Sequence, residues 1–565
     1  MDLSDQSNLS DLFLERMRET PHAPAYRQFE GSLWCDWSWG DIAQEVGRWQ
    51  TALAKEGFKP GDRVALCLHN RVEWMLFDQA AIGLGLVTVP LYFDDRPDNM
   101  AWCLNDADAR ALILENAAQW EALKDKVAAV ERVIILGPAT SDARVRRLQE
   151  WLPARAAEPL RSPAGANDLA TIVYTSGTTG RPKGVMLSHR NILSNVLASM
   201  HLIPVRVTDR FLSFLPLSHM FERTCGYYSA IWAGAQTVYA RNISTLAEDM
   251  RAQKPTILIA VPRIFERVWS RMQEKMAPGS FKRRLFEKAV DIGWRRFKRE
   301  PLSFAEKLLW PLLDVLVAQK VRNGLGGRVR LVIVGGAALA PDLARIFIGL
   351  GLTILHGYGS TETSPVLTAN REGDNDPLTV GRAVEHVELR CGEDNELLAR
   401  GPNIMLGYWN NREATEAAID REGWFRTGDI AQIQDGRVKI TGRVKDIIVL
   451  SNGEKIPPGD AEHAILRDPA FEQVMLIGEG RPKLGLLCVS KTTGLKDLCA
   501  RANAQLRDFP GYSRIRHIAR LPEAWTVENG LLTPTQKVKR REIQQHFAKE
   551  IEAMYAESSY CGRDA

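Results

Sequence analysis

Over about the first 440 residues, short runs of Val, Ile and Leu of strand length alternate with longer amphipathic stretches. Examples are Arg63-Val-Ala-Leu-Cys-Leu68, Arg132-Val-Ile-Ile-Leu-Gly137, Thr256-Ile-Leu-Ile-Ala260 and Arg330-Leu-Val-Ile-Val334. A strand that is apolar at consecutive positions has no face to give to water, so both of its faces must be covered. Parallel sheets with crossover helices meet that requirement. The pattern therefore predicts an α/β fold. At 565 residues the chain exceeds a single core, and about 150 residues per domain implies roughly three to four units, or two if one is composite. The texture changes near Thr441-Gly-Arg-Val-Lys445. Beyond it, Asp446-Ile-Ile-Val-Leu450 and Glu454-Lys-Ile456 flank Ser451-Asn-Gly453, a hairpin signal. A helix is expected from about Pro458, followed by strands at Gln473–Ile477 and Leu484–Val489. We therefore divide the chain into a large N-terminal α/β domain of several subdomains, residues 1–443, and a small α+β C-terminal domain, residues 444–565.

Composition removes several classes. Hydrophobic residues at 45% and charged residues at 25% exclude wholesale disorder. A net charge of +4, from 73 basic and 69 acidic residues, gives no case for a nucleic-acid partner. The eight cysteines include no Cys-x-x-Cys pair, which speaks against a zinc cage or a disulfide framework and for a reducing compartment. The N-terminus lacks a signal-peptide pattern, and no apolar run approaches the roughly 20 residues that span a bilayer. A cytoplasmic protein is expected. Between Lys282 and Arg330, however, thirteen basic side chains face five acidic ones, with Phe286, Trp294, Phe297, Leu308, Leu309 and Trp310 interleaved at helical spacing. This predicts a helical pair that either buries one face on its own domain or attracts an anionic membrane surface.

The chemistry is concentrated in Tyr174-Thr-Ser-Gly-Thr-Thr-Gly-Arg-Pro-Lys-Gly184, which follows the apolar strand Leu169–Val173 and precedes a helix opened by Ser188 and His189. Hydroxyls, glycines and a lysine in this density can bring backbone N–H groups and an ammonium onto phosphate oxygens. The lysine is followed by Gly184 instead of Ser or Thr, so this is not the common G-x-x-x-x-G-K-[ST] loop.

Together with six further segments in fixed order, this loop resembles the adenylate-forming superfamily of acyl-CoA synthetases, luciferases and peptide-synthetase adenylation domains. The segments are Leu215-Pro-Leu-Ser-His219, Gly335-Gly-Ala337, Gly357-Tyr-Gly-Ser-Thr-Glu-Thr363, Arg426-Thr-Gly-Asp429, Gly442-Arg-Val-Lys-Asp446 and Leu532-Thr-Pro-Thr-Gln-Lys-Val-Lys-Arg540. The resemblance implies that a carboxylate attacks the α-phosphorus of ATP and that the acyl group then passes to coenzyme A. Ser176, Gly177, Thr178, Thr179, Gly180 and Lys183 would cradle the phosphates. Thr175 and Glu362 would lie near Mg²⁺, Thr361 would touch the α-phosphate, and Gly336 would border the nucleotide. Tyr358 would stack on adenine, while Asp429, helped by Arg443, would take the ribose hydroxyls. Lys537 matches the catalytic lysine of the adenylation step, preferred over Lys539 although Gln536 stands where many members have glycine. Lys445 matches the hinge about which the small domain swings, so that domain should be mobile, and the loop at Gly453 would meet the pantetheine tunnel.

Three segments resemble the long-chain fatty acyl-CoA synthetase branch: Leu215–Arg223, Val261–Arg267 and Glu528–Thr535. They point to a fatty acid substrate. His219 would orient the acyl carboxylate, a core histidine held by backbone being the competing reading. Cys225, beside this motif, is expected to be a buried hydrophobe and not a nucleophile. A fatty acyl-AMP ligase that serves a carrier protein, or a non-catalytic acyl-binding membrane scaffold, is the alternative. Intact Thr175, Lys183, Glu362, Asp429 and Lys537 argue against the scaffold.

Overall fold

The computed structural model describes residues 6–138, 140–155, 158–175, 181–277, 279–492, 494–533 and 538–556. The strand-length runs form strands as expected: Arg63–Cys67, Arg132–Ile135, Ile257–Ala260 and Leu331–Val334. An eight-stranded sheet is centred on the parallel strands Val87–Pro90, Arg63–Cys67 and Ala109–Leu114, with Leu169–Thr175, Lys183–Ser188 and Gly407–Tyr408 added at one side. A thirteen-stranded sheet carries a parallel centre of Ile354–Gly359, Leu331–Val334, Ile257–Ala260, Arg210–Ser213 and Gln236–Tyr239. Beyond Gly359 it continues as antiparallel strands out to Phe425–Gln434 and Arg437–Arg443.

The main core lies where these sheets share helices. Trp39, Trp49, Trp74 and Phe77 are fully buried there beside Val173 and Leu187 of the smaller sheet and Tyr227 and Tyr228 of the segment after His219. The helix His189–Leu202 opens with a capping box in which the Ser188 side chain accepts from the Asn191 backbone N–H, closing two otherwise unsatisfied donors. Asn191 also donates to the carbonyls of Pro402 (2.7 Å) and Ile404 (2.9 Å), so this cap anchors the loop before Gly407 as well.

From Ile448 on, the chain builds its own cores. The predicted hairpin is present as Ile448–Val449 against Lys455–Ile456, with Gly453 at φ +85° in its turn. The helix Pro458–Ile465 and the strands Phe471–Ile477, Leu484–Ser490 and Ile515–Arg520 follow. The architecture mixes α and β throughout, with a large N-terminal α/β domain and a smaller C-terminal domain whose first strands pair antiparallel.

Among the described residues, Cys35, Cys67, Cys103, Cys225, Cys391 and Cys488 are free thiols, and Cys499 is disulfide-bonded. In the basic helical pair, Phe286 is buried and Trp294, Phe297, Leu309 and Trp310 are half-buried, but Leu308 is 74% exposed. Of the two adjacent leucines, Leu309 takes the inward position.

Candidate active site

The phosphate-loop strand and its return are locked together. Leu169–Thr175 pairs antiparallel with Lys183–Ser188, and Thr175 stands opposite Lys183. Both ends of the intervening loop are therefore pinned by a sheet. Ser176, Gly177, Thr178, Thr179 and Gly180 lie outside the described residues.

The third strand of this edge, Gly407–Tyr408, pairs with the lysine strand, Tyr408 opposite Val185. That register sets the Tyr408 ring 5.3 Å from the Lys183 ammonium, within cation–π range. The Tyr408 hydroxyl donates to Glu362 Oε1 at 3.0 Å, and the Met405 backbone N–H donates to the Glu362 carbonyl at 2.9 Å. Burial and the Glu362 charge both push the Tyr408 phenol far above its ordinary range, so it stays a donor. Glu362 and buried Thr361 occupy a single turn, Thr361–Thr363, at the end of strand Ile354–Gly359. Lys183, Glu362 and Tyr408 thus meet from three distant segments. Tyr408 had no signal in the sequence: a lone Gly-Tyr-Trp has no spacing that relates it to either charge.

A second cluster forms on the strands beyond Gly359. The Tyr358 hydroxyl donates to Asp429 Oδ2 at 2.5 Å, and Arg443 Nε donates to Asp429 Oδ1 at 2.8 Å. Asp429 and Arg443 face each other across the antiparallel pair, which explains the contact. Asp429 is 6% exposed and lies within strand Phe425–Gln434. The Asp429 charge holds the Arg443 guanidinium above its usual range, while burial and then Asp429 push up the Tyr358 phenol.

An apolar cleft borders the second cluster at Tyr358 and reaches Ser360, the residue before the Thr361–Thr363 turn. His219, Gly335, Gly336 and Tyr358 border it, and Ile333 and Val366 supply apolar wall. A Cβ on Gly335 would stand 2.9 Å from the Phe221 ring and displace it, while at Gly336 the φ of +78° would strain any residue with a side chain. His219 Nδ1 accepts from the Phe221 backbone N–H at 3.2 Å, which orients its ring at the cleft edge. Cys225 is buried here with its thiol pushed up to about 12, so it is protonated and unreactive at neutral pH.

Lys445 and Gly453 do not line this cleft. Lys445 is exposed in the turn Val444–Asp446, and Gly453 tips the hairpin that follows. Lys537 lies outside the described residues. Lys539 borders a polar cavity with Arg96, Glu542 and His546, and burial, then the Arg96 charge, lowers its ammonium.

For a dication, Thr175 and Glu362 offer a hydroxyl and a carboxylate, the oxygen donors that Mg²⁺ takes. Among the described residues no three His, Cys, Asp or Glu side chains cluster to ligate a metal. A site of this kind suits an ion shared with substrate phosphates and not an all-protein cage.

Comparison with known proteins fits this geometry. The AMP-binding enzyme family model matches residues 13–409, and that of the AMP-binding enzyme C-terminal domain matches residues 445–559. The long-chain-fatty-acid–CoA ligase FadD15 of Mycobacterium bovis is 31% identical over 98% of each chain. The peroxisomal long chain acyl-CoA synthetase 7 of Arabidopsis thaliana is 31% identical, covering 92% of this chain and 82% of its own. The solved structure of ATP-bound MatB from Rhodopseudomonas palustris shares the fold at a TM-score of 0.75 and 22% identity, over 96% of this chain and 99% of its own. With a family model spanning more than half of its length and relatives matched nearly end to end, the chain belongs to the AMP-binding enzymes of the adenylate-forming superfamily.

Proposed function

We propose that this protein is an AMP-forming long-chain fatty acid–CoA ligase. The fatty acid carboxylate attacks the α-phosphorus of ATP, the bond to pyrophosphate breaks, and acyl-AMP forms. The thiol of coenzyme A then attacks the acyl carbon, and AMP leaves. The observation that carries this reading is an apolar cleft bordered by Tyr358 of the Tyr358–Asp429–Arg443 cluster and by Ser360, which precedes the turn that brings Glu362 to Tyr408 and Lys183.

Both reactants of the first step are anionic, so cations and donors must spread the transition-state charge. In this reading Lys183, with Ser176, Gly177, Thr178, Thr179 and Gly180, holds the β- and γ-phosphates, and Thr361 meets the α-phosphate. Glu362 and Thr175 would hold Mg²⁺, which would neutralise phosphate charge when bound. Tyr358 packs on adenine, and Asp429 accepts from the ribose hydroxyls while Arg443 fixes its orientation. Gly336 gives the nucleotide close approach to the backbone, and His219 orients the acyl carboxylate. Lys537 reaches the reacting centre during adenylation. The chain divides between residues 443 and 444, and rotation at Lys445 then exchanges Lys537 for the Gly453 hairpin, which admits coenzyme A. The enzyme acts in the cytoplasm.

Purified protein given ATP, Mg²⁺, coenzyme A and a long-chain fatty acid should release AMP and pyrophosphate and consume the thiol. ADP and orthophosphate as products would reject the reading. AMP release without thiol consumption would identify an acyl-AMP ligase instead.

A further inference from the structure

The helical segment after Ser303 is apolar on two faces. It runs as helix Phe304–Leu313, continues through Asp314–Ala318 and ends at Gly324. One face packs at home: Leu313 and Ala318 are fully buried, with Leu309, Val317 and Val321 half-buried against the helix Phe281–Phe297 and its surroundings. The other face presents Phe304 (84% exposed), Leu308 (74%), Leu312 (56%) and Val315 (56%), at helical spacing along one side. Leu316 (41%) lies beside this stripe, and Phe281 on the adjacent helix is 78% exposed. A helix surrounded by protein can be apolar all round, but one at a surface should keep its second face polar. Five large apolar side chains on one exposed face call for a covering partner.

The charge pattern identifies that partner. All five acidic side chains between Lys282 and Arg330 are paired with cations: Glu287 with Arg283, Asp291 with Arg295 and Arg345, Glu300 with Lys298, Glu306 with Lys288 and Arg295, and Asp314 with Arg322. Among the described residues, Lys282, Arg284, Arg299, Lys307, Lys320 and Arg328 have no acidic partner within ion-pair distance and are exposed. Lys307 and Lys320 belong to the same helical segment and bracket the stripe from Leu308 to Leu316. No helix among the described residues is long and apolar enough to cross a membrane.

We propose that this face is a membrane-docking surface for an anionic lipid bilayer, with the segment from Phe304 to Leu316 lying in the headgroup plane. Phe304, Leu308, Leu312 and Val315 enter the acyl boundary while the surrounding lysines and arginines meet lipid phosphates. The inference rests on exposure and charge alone and holds whatever acid the enzyme activates. A second copy of this chain is the less suitable occupant, because a two-fold contact through this face would bring the same unpaired cations together.

The test is flotation of the full-length protein with vesicles of phosphatidylcholine alone and with about 30% phosphatidylglycerol, at low and high salt. Wild type should bind the anionic vesicles and be released as salt rises. Phe304→Ser/Leu308→Ser/Leu312→Ser should bind at least about tenfold more weakly. Lys307→Glu/Lys320→Glu should weaken binding to anionic vesicles while leaving binding to neutral ones unchanged. Since every substituted side chain is exposed, unfolding midpoints should match wild type, and the single exchange Leu308→Ser serves if the triple variant does not fold. Undiminished binding by the stripe variants, or equal wild-type binding to neutral and anionic vesicles, would overturn the proposal. So would a dimer in sedimentation that the stripe exchange dissociates without changing vesicle binding.

Discussion

Tyr408 makes a hydrogen bond to a carboxylate with its hydroxyl and a cation–π contact to an ammonium with its ring. Tyr408→Phe separates these roles, since it deletes only the donor to Glu362. Hydrogen bonds to charged groups contribute about 1.5–3 kcal/mol, and this one is partly solvated, so adenylation should slow by about tenfold. Thioester formation from supplied acyl-AMP should be unaffected, and single-turnover measurement of each half-reaction checks this. His189 offers a pH test. Burial lowers its imidazole from 6.5 to about 4, and its Nδ1 accepts from the Leu9 backbone N–H at 3.4 Å, which requires the neutral ring. Unfolding lets His189 recover an ordinary affinity for protons. Stability is therefore full above about pH 6.5, falls as the pH drops from there toward 4, and levels off below. At pH 5 the loss should be about 2 kcal/mol. Because burial lowers His356 to about 4 as well, denaturant titrations at pH 7 and pH 5 should show a larger total loss in wild type, and His189→Gln should reduce that loss by about 2 kcal/mol.

Among the elements, the turn Val444–Asp446 is the pivot of the proposed mechanism. It joins the last strand of the large sheet, Arg437–Arg443, to the Gly453 hairpin. If Lys445 is the pivot, Lys445→Pro should let acyl-AMP form while transfer to coenzyme A stalls, because proline fixes φ near −65°. Lys537→Ala should do the reverse, slowing adenylation by about 100- to 1000-fold and sparing transfer. Equal slowing of both halves by Lys537→Ala would remove the two-conformation mechanism. The hairpin and the capped helix at Ser188 were legible because turn and cap chemistry act over four residues or fewer. The Lys183–Tyr408 contact was not, since it needs a strand pairing that spans more than 200 positions of chain.

For the molecule as a whole, one buried ion pair ties two helical segments, Val72–Gly83 and Glu222–Tyr228, to the eight-stranded sheet. Arg223 and Asp78 are both fully buried and form a salt bridge. Arg223 also donates to Thr171 Oγ1 at 2.9 Å and Thr88 Oγ1 at 2.8 Å, and Tyr227 and Tyr228 donate to Asp78. Thr171 lies on the strand that leads to Thr175, and Arg223 lies four residues after His219. The bridge therefore couples the segment beside the apolar cleft to the strand that leads to Thr175. Arg223→Ala leaves a buried carboxylate without its cation and should cost about 3–5 kcal/mol, read in the unfolding transition of the large domain.

What the sequence determined by itself is the local physics: strand-length apolar runs, a hairpin turn, a helix cap, and the ordered motifs that name the superfamily. Each depends on neighbours a few positions apart, so each survives without knowledge of the fold. Only the tertiary structure decided which polar groups share a burial site and which apolar ones meet water. Arg223 read as a marker of a substrate branch and proved to be the partner of Asp78, 145 positions away. Leu308 and Leu309 are identical and adjacent, yet one is 74% exposed and the other packs beside Leu313. Hydrophobicity is a property of the side chain, whereas burial depends on which way the helix faces its neighbours, and no local pattern contains that rotation.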